Sequence, residues 1–115
     1  MKVMMLILET PEDFTTRGGP AGQEYFAAWQ TYSSAVGHKI VGGNVLEGPN
    51  TAATLRVRGG QRQIQDGPYA DSKEALGGYM IFEVESMDEA LELASACPAA
   101  ATGAVELRPV ADMPG

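Results

Sequence analysis

The residues best suited to chemistry lie in one stretch of this 115-residue chain, Asp66-Gly-Pro-Tyr-Ala-Asp-Ser-Lys-Glu-Ala-Leu-Gly-Gly78. A carboxylate beside a lysine in a cleft can move a proton or fix an anion, and Asp66, Lys73 and Glu74 supply that combination. Tyr69 and Tyr79 could line such a cleft, and Arg56 would suit a carboxylate or phosphate ligand if it pointed into a closed site. Each has a plainer alternative. Asp-Gly-Pro is a turn sequence, Ser72 can cap a helical turn, and tyrosines pack well in any core. Arg56 and Arg58 on a strand edge can also serve to block aggregation.

Other chemistries find little support. One histidine, His38, and one cysteine, Cys97, give no metal-ligand cluster, so no metal and no cofactor is expected. His38 would sit near a helix C-terminus, where the dipole favours its cation. Cys97 precedes a proline on an apolar stripe and reads as a small core residue. Gly18-Gly19 and Gly42-Gly43 do not follow a strand and open a helix, as a phosphate-binding loop must. Eight basic against 15 acidic residues give a net charge of −7, which opposes nucleic acid and anionic membranes as partners. The apolar start, Met1 to Leu8, is cut short by Glu9 without a small-residue cleavage site, so a strand is expected rather than a signal peptide. With no bilayer-length apolar run and no possible internal disulfide, the cytoplasm is the expected location.

The elements that must position these residues follow from the patterning. Residues 2–9 form a continuous apolar run, expected for a central strand covered on both faces. Residues 11–20 read as a loop. A helix is predicted from about Gly22 to Val36, with Tyr25, Phe26, Trp29, Tyr32 and Val36 on its buried face. A weak strand over 39–47 precedes a hairpin, Thr51–Arg58 and Gln61–Asp66, joined by Gly59-Gly60. In that register Leu55 faces Ile64 and Arg56 faces Gln63. Ser72–Leu76 could form a helical turn, and Tyr79–Glu85 a strand. Ser86 and Glu89 suggest a capping box for a second helix, which carries Met87, Ala90, Leu91, Ala94 and Cys97 inward until Pro98 ends it. Val105–Val110 is the last strand, and its Glu106 and Arg108 are expected to pair across an interface.

This order is a single α+β domain of ferredoxin-like βαββαβ type with an extra hairpin strand. Two helices cover one face of such a sheet. The other face, four strands by about five residues, spans roughly 300 to 400 Å² in projection. At about 25 cal/mol per Å², covering it would contribute on the order of 8 to 10 kcal/mol as an upper bound. A homodimer packed face to face is therefore expected.

The stretch from Asp66 to Tyr79 resembles the DGPFAETKE…LGGYY signature of the DGPF, or YCII-related, proteins. The resemblance extends to the opening strand ending in Glu9, to Trp29 and Tyr32, and to Thr54-Leu-Arg-Val-Arg58. It continues through Glu89-Ala90, Cys97-Pro98 and Val105-Glu-Leu-Arg-Pro-Val110. It implies a dimeric α/β barrel, in a superfamily that includes small-molecule isomerases, monooxygenases and dehalogenase-like enzymes. Shorter relatives carry a His and Asp pair; His38 does not align with that histidine, which speaks against a histidine-dependent mechanism here.

Two functions follow as expectations. One is a cofactor-independent small-molecule enzyme, with its cleft beside Asp66–Gly78, Asp66 as acid–base, and Arg56 or Lys73 anchoring an anionic ligand. The other is a non-catalytic dimeric module that holds a ligand or partner in the same cleft.

Overall fold

Strand β1 (Lys2–Glu9) lies at the centre of a four-stranded antiparallel sheet and sorts its residues by parity. Val3, Met5 and Ile7 are buried toward the helices, opposite Phe82, Met80 and Gly78. Met4, Leu6 and Leu8 point to the reverse face, opposite Ile81, Tyr79 and Leu76. The computed structural model describes residues 1–70 and 72–113. After β1 come α1 (Pro11–Thr15), α2 (Pro20–Val36), β2 (Ile40–Val45), β3 (Ala53–Arg58), β4 (Gln61–Asp66) and β5 (Ala75–Glu83). The chain closes with α3 (Met87–Ala94), α4 (Pro98–Thr102) and β6 (Ala104–Pro109). The sheet order β2-β5-β1-β6 is the ferredoxin-like arrangement, with β3 and β4 inserted between its second and third strands.

The hairpin forms in the expected register, Leu55 opposite Ile64 and Arg56 opposite Gln63. Gly59 and Gly60 both take positive φ, 56° and 77°, as a primed turn requires. It does not extend the main sheet, however. β3 and β4 form a separate two-stranded sheet whose strands pack broadly only on each other. It is fixed at its root, where the Gly67 N–H donates to the Ala52 carbonyl at 2.7 Å and the Thr54 hydroxyl to the Gly67 carbonyl at 2.9 Å.

Several local expectations change. Residues 11–15 are helical, because the Thr10 hydroxyl accepts from the Asp13 N–H and the Asp13 carboxylate accepts from the Thr10 N–H. No helical turn forms over Ser72–Leu76. Instead Ala75 and Leu76 pair with Glu9 and Leu8, since strand pairing supplies hydrogen bonds that one isolated turn cannot match. The α3 cap is shifted by one residue: Ser86 accepts from Glu89 N–H, but the Glu89 carboxylate accepts from Glu85 rather than from Ser86. Pro98 does not stop α3, which has already ended at Ala94; it opens α4. Leu91, expected inside, is 51% exposed. Arg108 pairs with Glu106 on its own strand, at 2.6 Å.

The largest departure concerns α2. Tyr32 and Val36 are buried, and the Tyr32 hydroxyl ties the helix to α3 by donating to the Leu93 carbonyl at 2.8 Å. Toward the N-terminus the same stripe lifts off the sheet: Tyr25 and Trp29 are half-buried and Phe26 is 61% exposed. Below them the sheet presents Gly78 and Gly43, which have no side chains to fill the gap.

Cys97 is buried, and burial above all pushes its thiol pKa up. The thiol should react with a soluble disulfide reagent only as fast as the protein unfolds. Rapid labelling of the native protein, followed by absorbance, would contradict this packing.

Candidate active site

Glu9 ends β1 on the same parity as Val3, Met5 and Ile7, so its carboxylate is carried to the helix side of the sheet. It is 4% exposed and is the one buried charged residue among those described. Three features make that burial possible. Arg17, in the link between α1 and α2, places its guanidinium 3.1 Å from Glu9 Oε1. The same guanidinium donates to the carbonyls of Leu46 at 2.6 Å and Gly77 at 3.4 Å, and its carbon lies 4.7 Å from the Phe14 ring centroid. Gly77 leaves the space: a Cβ there would collide with Glu9 Oε1. Gly77 is also the extra residue of a β-bulge, since Ile7 pairs with Gly78 and Leu8 with Leu76.

A cleft of about 770 Å³ opens in front of this carboxylate, between the raised part of α2 and strands β5 and β2. Ile7, Met80, Tyr25 and Trp29 form much of its wall, and Glu9 and Arg17 close one end. The Tyr25 hydroxyl is out of contact with solvent and has no hydrogen-bond partner among the described residues. Burial foremost, with the Trp29 side chain opposing it and the adjacent Glu9 carboxylate and the charge of Asp13 adding to it, raises its pKa; the hydroxyl lies close to Glu9 but outside good hydrogen-bond geometry. This end of the cleft therefore holds a buried carboxylate and, close beside it, a phenol hydroxyl that is shut off from solvent. Glu9 also borders a smaller cavity of about 380 Å³, with Phe14, Asn50, Pro68, Ser72 and Lys73 around it.

The residues singled out in the sequence are spread more widely. Asp66 is exposed at the end of β4. Arg56 is half-buried, with its guanidinium carbon 5.5 Å from the ring centroid of Tyr69, which is itself 81% exposed. Glu74 is half-buried. None of these four lines either cavity. Lys73 is exposed and borders the smaller cavity. Tyr79 borders the larger one, and its hydroxyl accepts from Asn44 Nδ2 at 2.9 Å. Thus the signature meets the larger cleft only at its end, through Gly77, Gly78 and Tyr79. His38 is exposed in the turn after α2. Among the described residues no group of three His, Cys, Asp or Glu side chains could hold a metal ion.

Glu9, Arg17 and Tyr25 were not singled out by motif. Glu9 did leave a trace, a charge at the end of an otherwise apolar strand run. Arg17 left none, because its partners come from three distant parts of the chain.

Comparison with known proteins places this geometry. The YCII-related domain profile matches residues 1–114. The chain belongs to the YCII-related domain family. An uncharacterized protein of Rhizobium meliloti is 44% identical over 68 residues, a match covering 55% of this chain and 53% of that one. The chain thus matches about half the length of this curated relative. Among solved structures, it is similar to 5-chloro-2-hydroxyhydroquinone dehydrochlorinase from Burkholderia phenoliruptrix, in complex with 2,5-dihydroxybenzoquinone. That likeness has a TM-score of 0.56 at 21% identity and covers 96% of this chain and 94% of the other. It establishes the shared α/β-barrel fold.

The unpartnered hydroxyl in this YCII-related cleft gives a stability prediction. A buried donor without an acceptor costs about 1 to 3 kcal/mol. Tyr25→Phe should therefore keep or raise the ligand-free melting temperature, by several degrees if about 1 kcal/mol is recovered. A clear fall in calorimetry would show the hydroxyl to be bonded in the folded protein.

Proposed function

We propose that this protein is a cofactor-independent enzyme of a small molecule, with Glu9 as the proton-transferring group in the cleft beneath α2. The observation that carries the reading is the burial of Glu9 at one end of a cleft whose exposed lining is mainly apolar. A carboxylate is held there at the cost of its hydration, with Arg17 orienting it and Tyr25 beside it as a donor. A ligand hydroxyl or acidic C–H presented to Glu9 could lose its proton there and regain one elsewhere on the molecule. The Burkholderia structure is of an enzyme that acts on a small hydroxylated ring, so the fold is compatible with such work.

The test is proton exchange. Hydroxylated aromatic compounds and their quinones would be incubated with the protein in deuterated water and followed by proton NMR for conversion or ring exchange. Glu9→Gln should lower the rate by about two to four orders of magnitude while ligand binding persists. An unchanged rate would remove Glu9 from the chemistry. Binding with no conversion across the set would favour the non-catalytic module, for which Arg17, bonded to Glu9, Leu46 and Gly77, would simply hold the cleft in shape.

We further propose that the working form is a homodimer, with a second copy covering the reverse face of the sheet. Met4, Leu6, Leu8, Tyr79 and Ile81 on that face lie outside the buried core cluster. The radius of gyration, 15.9 Å, exceeds the roughly 13 Å of a compact domain of this length. The excess fits a hairpin standing apart, with Leu55, Val57 and Ile64 each more than half exposed. An isolated hairpin is only marginally stable in water, so packing against the second copy would support it. Sedimentation should give twice the 12.1 kDa chain mass, and a clean monomer at micromolar concentration would overturn the assembly. Among the described residues no helix is long and apolar enough to cross a membrane. The lone buried thiol suits a reducing compartment, and we place the protein in the cytoplasm.

A further inference from the structure

Helix α2 is held clear of the sheet from both of its ends. At its start Gly22 lies so close to the Thr16 carbonyl that a Cβ there would collide with it, and the Gly19 N–H donates to the same carbonyl at 3.1 Å. Toward its end Tyr32 and Val36 are buried, and the Tyr32 hydroxyl is bonded to the Leu93 carbonyl. A straight helix pinned at two points bridges the gap between them, so the cleft beneath it does not close by collapse. The surface left open there is largely apolar and reaches the rim. Phe26 on α2 is 61% exposed and Val45 on β2 is 81% exposed, and both border the cleft. Apolar surface kept open in a concave site is the mark of a bound apolar molecule.

The dimensions set the kind of molecule. Along α2 the lining runs from Gly22 to Ser33, and along β2 from Ile40 to Val45. The rise of a helix over the first stretch and of a strand over the second each comes to roughly 16 Å. An apolar protein cavity of about 150 Å³ is enough to take up benzene. This cleft, at about 770 Å³, holds several times that volume. Its charges are gathered at one end, where Arg17 meets Glu9. At the other end stand Ser33 and Ile40.

We infer that the cleft takes an elongated, mainly apolar molecule that reaches from the Glu9–Arg17 end to the Ser33–Ile40 end. Such a molecule is longer than the single-ring compound bound in the Burkholderia structure. The inference rests on the reading of the cleft as the active site and adds the shape of its substrate. The reacting group lies beside Glu9, and the long apolar body supplies the binding that holds it there.

Trp29 is the single tryptophan and lines the cleft, so its fluorescence reports occupancy. The probes are 1-hexanol, 1-octanol and 1-decanol, which share one hydroxyl and differ only in length. Each should alter the emission saturably, and affinity should rise about two- to fourfold per added methylene as far as 1-decanol. Ser33→Phe fills the far end of the cleft. This variant should bind 1-decanol about tenfold more weakly and 1-hexanol within about twofold of the original protein. An affinity that stops rising at 1-hexanol, a response to 1-decanol that never saturates, or unchanged 1-decanol binding by folded Ser33→Phe would each overturn the inference. Should that variant not fold, the series on the unaltered protein decides alone. Proton exchange by Glu9→Gln is a separate readout. A rising series with unaltered exchange would retain the ligand shape and remove the acid–base role, and a flat series with exchange lost would do the reverse.

Discussion

Burial of the Glu9 carboxylate is the constraint around which this end of the molecule is arranged. A charge taken out of water without a partner costs several kcal/mol, so the fold must supply a cation and the space to receive it. Arg17 is that cation, and it reaches Glu9 because α1 and its capped start turn the chain back over the sheet. The same guanidinium closes the ends of β2 and β5 through the Leu46 and Gly77 carbonyls. Gly77 supplies the space, as the extra residue of a bulge lying against the carboxylate. One ion pair thereby joins three strand ends and the α1–α2 link.

The cleft follows from a second constraint, the mismatch between a bulky helix stripe and a glycine-bearing stretch of sheet. Near the C-terminus of α2, Tyr32 and Val36 meet a full core and are buried. Near its N-terminus, Tyr25, Phe26 and Trp29 face the region of Gly43 and Gly78, and the space stays open. Core-like side chains thus become the wall of a cavity without any change in the helix itself. The LGGY part of the signature contributes twice: Gly77 admits the carboxylate, and Gly78 lets the β2 backbone come close, since a Cβ there would lie 2.9 Å from the Asn44 carbonyl oxygen.

The remaining apolar surface lies away from this cleft. Buried core residues gather on the helix side of the sheet, while the reverse face and the hairpin keep apolar side chains near solvent. A ligand site on one side and an assembly surface on the other can coexist because the strand period of two assigns alternate residues of β1 to each.

Much of this was legible in residue patterns. The apolar strand, the amphipathic helices, the Gly59-Gly60 hairpin with its register and the fold class all follow from local periodicity and turn chemistry, which act over a few residues. The family signature was equally plain between Asp66 and Tyr79. The site was less so, because a motif marks residues adjacent in sequence, whereas the cleft joins Glu9, Arg17, Tyr25 and Gly77 from four elements. Asp66, Lys73 and Glu74 drew notice as a cluster of chemical types, yet the hairpin root and the early start of β5 carry Asp66 and Glu74 away from both cavities. What sequence alone determined was the order of the main strands and helices, the hairpin register and the fold class. Tertiary structure decided that Arg17 meets Glu9 and that α2 stands clear, since partner choice and cavity shape depend on how distant elements pack.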